Sequence, residues 1–460
     1  MKLFFNVTIG LCFAIYTTAA PIKQPVKKPE PIPAKVEINP QYLRTRLLTN
    51  NLGILKGLNN VYQTKFDVNL KRSQLLPSIN LGAALNSQGG GFFLSSVSFL
   101  LPFLIPTNWF NYKESKYIFE AEKFSYYLTK LNTYASAYST VVTVSADLEL
   151  KKVLEQQYKN LVKIQEMIQL RYDFGLVTDT DLSRTKAQTQ LAFIQLSQME
   201  QLIVKEIASL RLLLSLPLET EIQIANFKTI DSDIEALPTA EVLQKALAKS
   251  PEYAQVLNLI SASKEGKWSR AFAFLNGASL STNGTGNQTT AFNQVTASAQ
   301  FNFGFGLFPA YKMSQLAIAQ LELRKKEIQL ELTQMIESNL GVIAMAKAQL
   351  DNAIKAEALL NKTLEDQIAN YSLGLTDLLH VLDVQNSIVQ ASTARVQSQN
   401  DLNHLRINLH RLMLTDEFQK IEPCKAKLQN ASFWIEIKDF FFSTESQKKV
   451  EQICLGGTGT

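Results

Sequence analysis

The chain has 460 residues, of which 46% are hydrophobic and 19% charged, and its formal net charge is +5. This length fits two or three ordinary domains, or one elongated architecture built from repeats. The basic residues are spread along the chain rather than gathered in a stripe, so we expect no nucleic-acid partner.

The N-terminal segment has the layout of an export signal. Residues 1–20 contain one Lys, an apolar stretch and a Thr-Ala-Ala end, which predicts cleavage after Ala20. Cys12 follows the bulky Leu11, whereas a lipidation site needs small residues there, so we expect no lipid anchor. Residues 21–40 are rich in Pro and Lys and predict an extended leader, after which folded structure begins.

An internal repeat runs through the chain at an offset of 199 residues. The matched pairs are Leu48 and Leu247, Leu76 and Leu275, Tyr112 and Tyr311, Tyr172 and Tyr371, and Gly175 and Gly374. The repeat divides the chain into residues 41–230 and 231–414, and residues 415–460 form a tail outside it.

The tail contains Cys424 and Cys454, the two cysteines that remain after removal of the signal. In an oxidising compartment they can close a disulfide, and two unpaired thiols in a loose tail explain the sequence equally well. The stretch FWIEIKDFFF from Phe433 can pack against helices, and the role of the tail is open.

Each repeat contains two alternating apolar and polar segments, near 79–87 and 93–104 and near 271–282 and 293–305. Such period-two segments fit strands of a membrane barrel whose polar face meets water, and half-buried strands of a soluble sheet fit them as well. Between Phe93 and Phe99 the alternation is one residue out of phase with the matching segment of the second repeat. This predicts a β-bulge or a register slip.

The rest of each repeat predicts long helices. Residues 111–172 contain no Pro and would form a helix about 90 Å long. Apolar residues recur at steps of three and four, namely Leu150, Leu154, Tyr158, Leu161, Ile164 and Ile168, then Val381, Val384, Ile388, Leu402, Leu405, Leu409 and Leu412. This pattern predicts helices packed as coiled-coil hairpins. Four strands cannot close a barrel, so membrane strands here would require an oligomer, and three copies would give twelve strands.

Several stretches recur in a characteristic order and spacing, namely LLPSINL from Leu75, ALAKSPEYAQ from Ala246, FNFGFGLFPAYKMSQLAIAQ from Phe301, and two Gly-Leu corners. In these stretches, their order and their spacing, the chain resembles the TolC family of trimeric outer-membrane efflux ducts. The resemblance implies a mainly α fold with a small transmembrane β part. It further implies a homotrimer that closes a 12-stranded β-barrel in outer-membrane lipid and an α-helical tunnel in the periplasm.

The resemblance also implies a function. The trimer would dock on an inner-membrane transporter through a periplasmic adaptor protein and export small molecules, such as drugs and toxic compounds, or secreted polypeptides. The corners, near 172–182 and 371–383, would be periplasmic tips where the adaptor docks on Gly175, Leu176, Gly374 and Leu375. Each Gly also suits a helix C-cap, and this structural role does not conflict with docking.

A gate is implied at the same tips. Family members carry acidic pore-ring residues at positions that fall on His380 and Asp383, and His380 departs from this pattern, which leaves the ion selectivity open. Asp383 also suits the first turn of a helix for dipole reasons. 

The resemblance further implies closed-state contacts at Thr180 and Asp181, with Tyr371 and Thr376 as partners. Thr178 and Asp181 have the spacing of an N-cap and its acidic partner, which competes with a gate role. Other family members can have a basic residue at Thr376, and its absence predicts a weaker electrostatic latch.

Nothing in the sequence predicts an enzyme, a metal site or a cofactor. The three His residues form no metal-binding motif, and the chain contains no nucleophile elbow, P-loop or dinucleotide fingerprint. The alternative function is a periplasmic coiled-coil structural or adaptor protein without channel activity. An adaptor normally carries one helical hairpin, so the duplication favours the duct.

Overall fold

The computed structural model describes residues 35–85, 92–225, 233–283, 294–426, 428 and 454. The helices of these residues are α1 (Pro40–Asn50), α2 (Leu52–Ser73), α3 (Pro106–Asp173), α4 (Asp179–Leu213), α5 (Thr239–Lys249), α6 (Pro251–Ala271), α7 (Leu307–Ser372) and α8 (Leu378–Met413). The strands are β1 (Lys35–Ile38), β2 (Ser78–Leu85), β3 (Phe92–Leu100), β4 (Glu221–Ile224), β5 (Leu275–Asn283) and β6 (Gln294–Phe301). The predicted signal, most of the leader and the stretch from Phe433 lie outside the described residues. The fold is mainly helical, as predicted.

Two helices are far longer than the others. α3 has 68 residues and α7 has 66, so each extends about 100 Å. α3 begins at Pro106, a residue that suits the first helical position because it has no amide hydrogen to leave unpaired. The apolar stripe predicted on α3 is buried, as Leu161, Ile164 and Ile168 show. The stripe packs against α4 and α8 in the lower part of the molecule.

The helices form two rows, one above the other. In the upper row, next to the sheet, α2 packs on α3, α3 on α6, and α6 on α7. In the lower row, towards the corners, α4 packs on α3, α3 on α8, and α8 on α7. Both rows therefore end in α7 on one side and in a helix of the first repeat on the other.

The larger sheet is antiparallel, with strand order β2-β3-β5-β6. Within the described residues it is open, with β2 and β6 at its edges. On β5 and β6 the register pairs Ala278 with Ala299 on one face and Ser279 with Ser298 on the other, where the two hydroxyls are 2.8 Å apart. One face of this hairpin is therefore apolar and the other polar.

The predicted bulge is confirmed. Gly82 pairs with Ser96 and Ala83 with Leu94, so Ser95 is the extra residue on β3. The strand ends differ from prediction at other points. β3 ends at Leu100 because Pro102, which lacks an amide hydrogen, begins a 3₁₀ turn. β5 starts only after α6 ends at Ala271, and β6 ends at Phe301 rather than near residue 305.

Folded structure starts earlier than predicted. The last part of the predicted leader is β1, which pairs in parallel with β4. Val36 and Ile38 alternate with exposed residues and are buried in the core between the upper and lower rows. Burial of these two side chains stabilises the strand relative to an extended, solvated segment. The prediction that residues up to 40 lie outside the fold was therefore wrong for Lys35–Ile38.

The tail is attached to α3 through a buried cation. Cys424 and Cys454 form a disulfide. The Lys130 ammonium donates hydrogen bonds to the carbonyl oxygens of Glu422 and Cys454, and it lies 5.0 Å from the Tyr126 ring centroid. Burial lowers the pKa of Lys130 to about 8, because the charged form loses its hydration. Lys130 thus holds both sides of the disulfide against the core.

Candidate functional site at the two helix corners

The first corner is a Schellman turn that ends α3. The amide of Gly175 donates to the carbonyl of Tyr172 at 2.8 Å, and that of Leu176 donates to the carbonyl of Arg171 at 2.8 Å. Gly175 has φ +70, a left-handed conformation that L side chains rarely adopt. The turn leaves the Leu176 side chain 72% exposed.

The second corner repeats this geometry at the end of α7. Gly374 has φ +76, and its amide donates to the carbonyl of Tyr371 at 3.1 Å. The Leu375 amide donates to the carbonyl of Asn370 at 2.9 Å, and the Leu375 side chain is 73% exposed. Both corners therefore present exposed apolar side chains at the end of a helical hairpin, Phe174 and Leu176 at the first and Leu373 and Leu375 at the second.

Each corner leads into a capped helix. Thr178 and Asp181 form the expected capping box, in which the Asp181 amide donates to Thr178 Oγ1 at 3.2 Å. At the second corner the carboxylate of Asp377 accepts a hydrogen bond from the His380 amide at 3.0 Å. These caps satisfy amides at the starts of α4 and α8 and fix where each helix begins.

Arg171 joins the two corners. Its guanidinium carbon lies 4.6 Å from the ring centroid of Tyr371, which is buried. The same guanidinium donates long hydrogen bonds to the carbonyls of Tyr371 and Ser372, at 3.5 and 3.4 Å. The positive charge faces the last carbonyls of α7, where the helix dipole favours a cation.

The predicted gate residues are not brought together in one chain. Within the described residues no hydrogen bond links Tyr371 to Thr180, Asp181 or Thr376, and its side-chain partner is Arg171. Thr180 is exposed, and Asp181 is held in its capping box. Contacts of these side chains with another copy stay a prediction.

Asp383 and His380 lie one helical turn apart on α8, and both are exposed. The His380 ring contacts the Asp377 carboxylate at 3.9 Å, so an acidic side chain accompanies the imidazole. Asp383 and His380 therefore lie on the same side of α8. If several copies met at the corners, these side chains could form a ring of polar groups.

The role of Arg171 was not predicted from the sequence. Its partner lies 200 residues away, so no local pattern links them. The sequence contains one indication. The repeat aligns Arg171 with Asn370, so the two corners differ directly before the Tyr-x-x-Gly-Leu pattern that they share.

An exposed apolar stripe runs along α7 on the side away from its buried face. Its members, all more than 60% exposed, are Met313, Leu316, Leu323, Leu330, Met345 and Leu359. The same side has a shallow groove lined by Leu330, Gly341, Val342 and Met345. Exposed side chains of this size on one helix face indicate a surface that another molecule covers.

The helices at the other end of the two rows, α2 and α4, also carry exposed apolar side chains. On α4, Leu191, Ile194 and Val204 are exposed, and on α2, Phe66 and Leu70 are exposed. Val204 lies 29 residues after Gly175 and Met345 lies 29 residues before Gly374, so both lie roughly 40 Å from the corners. Arg184 and Glu365, both exposed, lie at equal distances nearer the corners.

Comparison with known proteins gives structural matches only. No family model and no curated protein matches the sequence. The Campylobacter jejuni CmeC outer membrane channel matches at TM-score 0.70 and 16% identity, over 86% of this chain and 90% of its own. The outer membrane protein VceC from Vibrio cholerae matches at TM-score 0.70 and 13% identity, over 81% and 96%. The open-state MtrE outer membrane channel of Neisseria gonorrhoeae matches at TM-score 0.65 and 14% identity, over 81% and 88%.

This chain has the TolC-type outer-membrane channel fold. In the described part of this TolC-type fold, none of the helices combines the length and the apolar character needed to cross a bilayer.

A carboxyl pair lies between α3 and α4 of the TolC-type fold. Glu206 and Asp147 share a hydrogen bond, and burial together with the neighbouring acid raises the pKa of Glu206 to about 7. Burial likewise raises the pKa of Asp147. The protonated form is thus favoured in the folded chain relative to the unfolded chain.

We expect this pair to make stability depend on pH. Because the folded pKa of Glu206 exceeds its ordinary value of 4.5, the contribution of Glu206 to stability should be greatest below pH 4.5 and should fall as pH rises to about 7. The variant Glu206→Gln should flatten this slope, as measured by urea unfolding of the purified protein at pH 5 and pH 8. An equal slope in wild type and variant would contradict the assignment.

Proposed function

We propose that the protein is an outer-membrane exit duct that exports small molecules or secreted polypeptides with an inner-membrane transporter and a periplasmic adaptor. The observation that carries the proposal is the TolC-type fold with its open four-stranded sheet and paired corners. The structures that match this chain are outer-membrane channels, which supports the same location and role for this protein.

A homotrimer is part of the proposal. The sheet ends in β2 on one side and β6 on the other, and unpaired strand edges are not tolerated in lipid. If β6 of one copy pairs with β2 of the next, three copies of four strands close a 12-stranded barrel. This head-to-tail contact closes into a ring.

The helices support the same arrangement of copies. The side of the chain that carries β6 also ends in α7, and the side that carries β2 ends in α2 and α4. Pairing β6 with β2 therefore sets the apolar stripe of α7 against the exposed side chains of α2 and α4. Met345 would lie at the same height as Val204 of the next copy, and Met313 at the same height as Phe66. Glu365 and Arg184, at equal distances from the corners, have complementary charges.

The corners form the gate and the docking end of the proposed duct. Leu176 and Leu375 would insert into apolar sites of the adaptor, since each is exposed on a turn fixed by a left-handed Gly. Three copies of Asp383 and His380 would line the narrow end as a ring of mixed charge. Arg171 would hold the two hairpins of one copy together in the closed state.

The first experiment is single-channel conductance and mass of the mature protein, extracted in detergent from an outer-membrane fraction. We expect a trimer with small conductance whose block by multivalent cations weakens in the variant Asp383→Ala. A water-soluble monomer that forms no channel would favour the periplasmic coiled-coil alternative. Unchanged block in the variant would remove Asp383 from the pore.

Arg171→Ala should shift the gate towards the open state. The contact of Arg171 with Tyr371 is half-exposed and its hydrogen bonds are long, so its loss should cost the closed state about 1 kcal/mol. That amounts to a roughly fivefold change in the ratio of open to closed channels. Planar-bilayer recordings of open probability measure the change.

The matched control for this variant is Lys163→Ala, which removes an exposed cation from the same helix without touching Tyr371. Equal open probabilities for the two variants would show that Arg171 acts by general charge and not through Tyr371.

A further inference from the structure

A chain of six aromatic rings crosses the junction between helices and strands. Its members are Phe110, Trp268, Phe272, Phe274, Phe303 and Phe301, each within 6.3 Å, centroid to centroid, of another member. Phe110 lies in the first turns of α3 and Trp268 in the last turn of α6, whereas Phe274 and Phe303 flank β5 and β6. We call this set the aromatic chain.

Three members of the aromatic chain are exposed and the other three are half-buried. Trp268 is 44% and Phe303 74% exposed, and Phe305, two residues further on, is 93% exposed. Phe301 lies on β6 at alternate positions from Ala297 and Ala299, so it shares their apolar face. In the proposed barrel that face meets lipid, because the polar face with Ser279 and Ser298 meets water.

Two cations border the aromatic chain. The Lys113 ammonium lies 5.7 Å from the centroid of Phe110, and the Lys267 ammonium lies 5.0 Å from that of Trp268 and 5.8 Å from that of Tyr311. Neither Lys forms an ion pair with a carboxylate of the described residues. An ammonium above a ring keeps hydrogens that can be donated to another acceptor.

We propose that this junction binds anionic phospholipid, with Lys113 and Lys267 donating to the head-group phosphate and the aromatic chain lying at the boundary between head groups and acyl chains. The inference rests on the proposed outer-membrane location and adds a lipid class to it. Aromatic rings favour this boundary because they combine an apolar body with a polarisable face, and nearby cations attract anionic head groups.

A second copy of the chain is the other candidate occupant, and the strand geometry argues against it. Copies meet in the proposed ring through the backbone edges of β2 and β6, and edge pairing leaves the faces of the sheet uncovered. Phe301 lies on such a face, and Phe303, whose ring centroid is 6.3 Å from that of Phe301, follows two residues after the strand ends. Lipid is the partner that a lateral face of a membrane sheet meets.

The test is native mass spectrometry of the full mature protein titrated with phosphatidylglycerol and, separately, with phosphatidylethanolamine. Wild type should bind phosphatidylglycerol more tightly. The double variant Lys113→Gln, Lys267→Gln should lose roughly fivefold in phosphatidylglycerol affinity for each Lys. Lys113→Arg, Lys267→Arg should keep most of the affinity, and Lys163→Gln, on the lower part of α3, should change nothing.

The outcomes separate this inference from the proposed function. A protein that conducts as a trimer but binds both lipids equally, or whose double variant binds phosphatidylglycerol like wild type, would overturn the lipid site alone. A double variant that falls apart into monomers would also overturn it and would assign the two Lys residues to a contact between copies. Failure of wild type to form channels is the separate result that counts against the duct.

Discussion

Glu235→Gln should lower the free energy of unfolding strongly, because Glu235 pairs with a buried Arg. Glu235 lies just before α5. Its carboxylate is 2.9 Å from Arg406 Nε on α8 and 2.5 Å from Lys347 Nζ on α7. The side chains of Glu235 and Arg406 are each only 7% exposed. Removal of the negative charge leaves Arg406 buried without that carboxylate, which costs about 3 kcal/mol. Urea unfolding of the purified protein measures the loss.

The variant Lys347→Met is the matched control. The Lys347 side chain is 44% exposed and can return its charge to water, so we expect a loss below about 1 kcal/mol. The double variant Glu235→Leu, Arg406→Met should regain much of the stability, because a buried pair replaced by apolar side chains of similar size costs little. Equal losses for Glu235→Gln and Lys347→Met would contradict a buried pair.

Val204→Glu or Met345→Lys alone should abolish the trimer. Both side chains are about two-thirds exposed in the single chain, so neither change should unfold it. In the proposed ring each would place an unpaired charge at all copy-to-copy contacts, at several kcal/mol per contact. Light scattering of the detergent-extracted protein gives the mass.

The double variant Val204→Glu, Met345→Lys should recover the trimer in part, because opposite charges then face each other at every contact. Lys163→Glu, an exposed change on α3, is the control and should leave the trimer intact. Trimers in both single variants would show that α4 and α7 do not meet between copies.

The features that sequence analysis predicted correctly depend on short stretches of chain. A Gly at the end of a long apolar stripe predicts a left-handed helix end, and both Gly175 and Gly374 have positive φ. The Thr178 capping box follows from residues three apart. The bulge at Ser95 follows from an alternation that is out of phase with the matching segment of the second repeat. The Gly and capping-box signals are each complete within about ten residues, and the bulge needs one short segment of each repeat.

The features that sequence analysis missed join distant stretches. β1 pairs with β4 across most of the first repeat, so the alternation of Val36 and Ile38 gave no indication of its partner. Lys130 lies within an ordinary helical pattern, and its acceptors belong to the tail. Arg171 and Tyr371 come from different repeats. Tertiary contacts of this kind leave no local periodicity to detect.

The uninterrupted length of α3 gives the molecule a lever arm. The helix is anchored beside the sheet at Pro106 and ends at the corner after Asp173, about 100 Å away. A tilt of about 5° at the anchored end moves the far end by about 9 Å, without breaking a backbone hydrogen bond within the helix. In the proposed gate, a small rotation at the sheet end would therefore give a large displacement at the corners. A contact at the far end, such as that of Arg171 with Tyr371, would oppose this rotation with the longest arm.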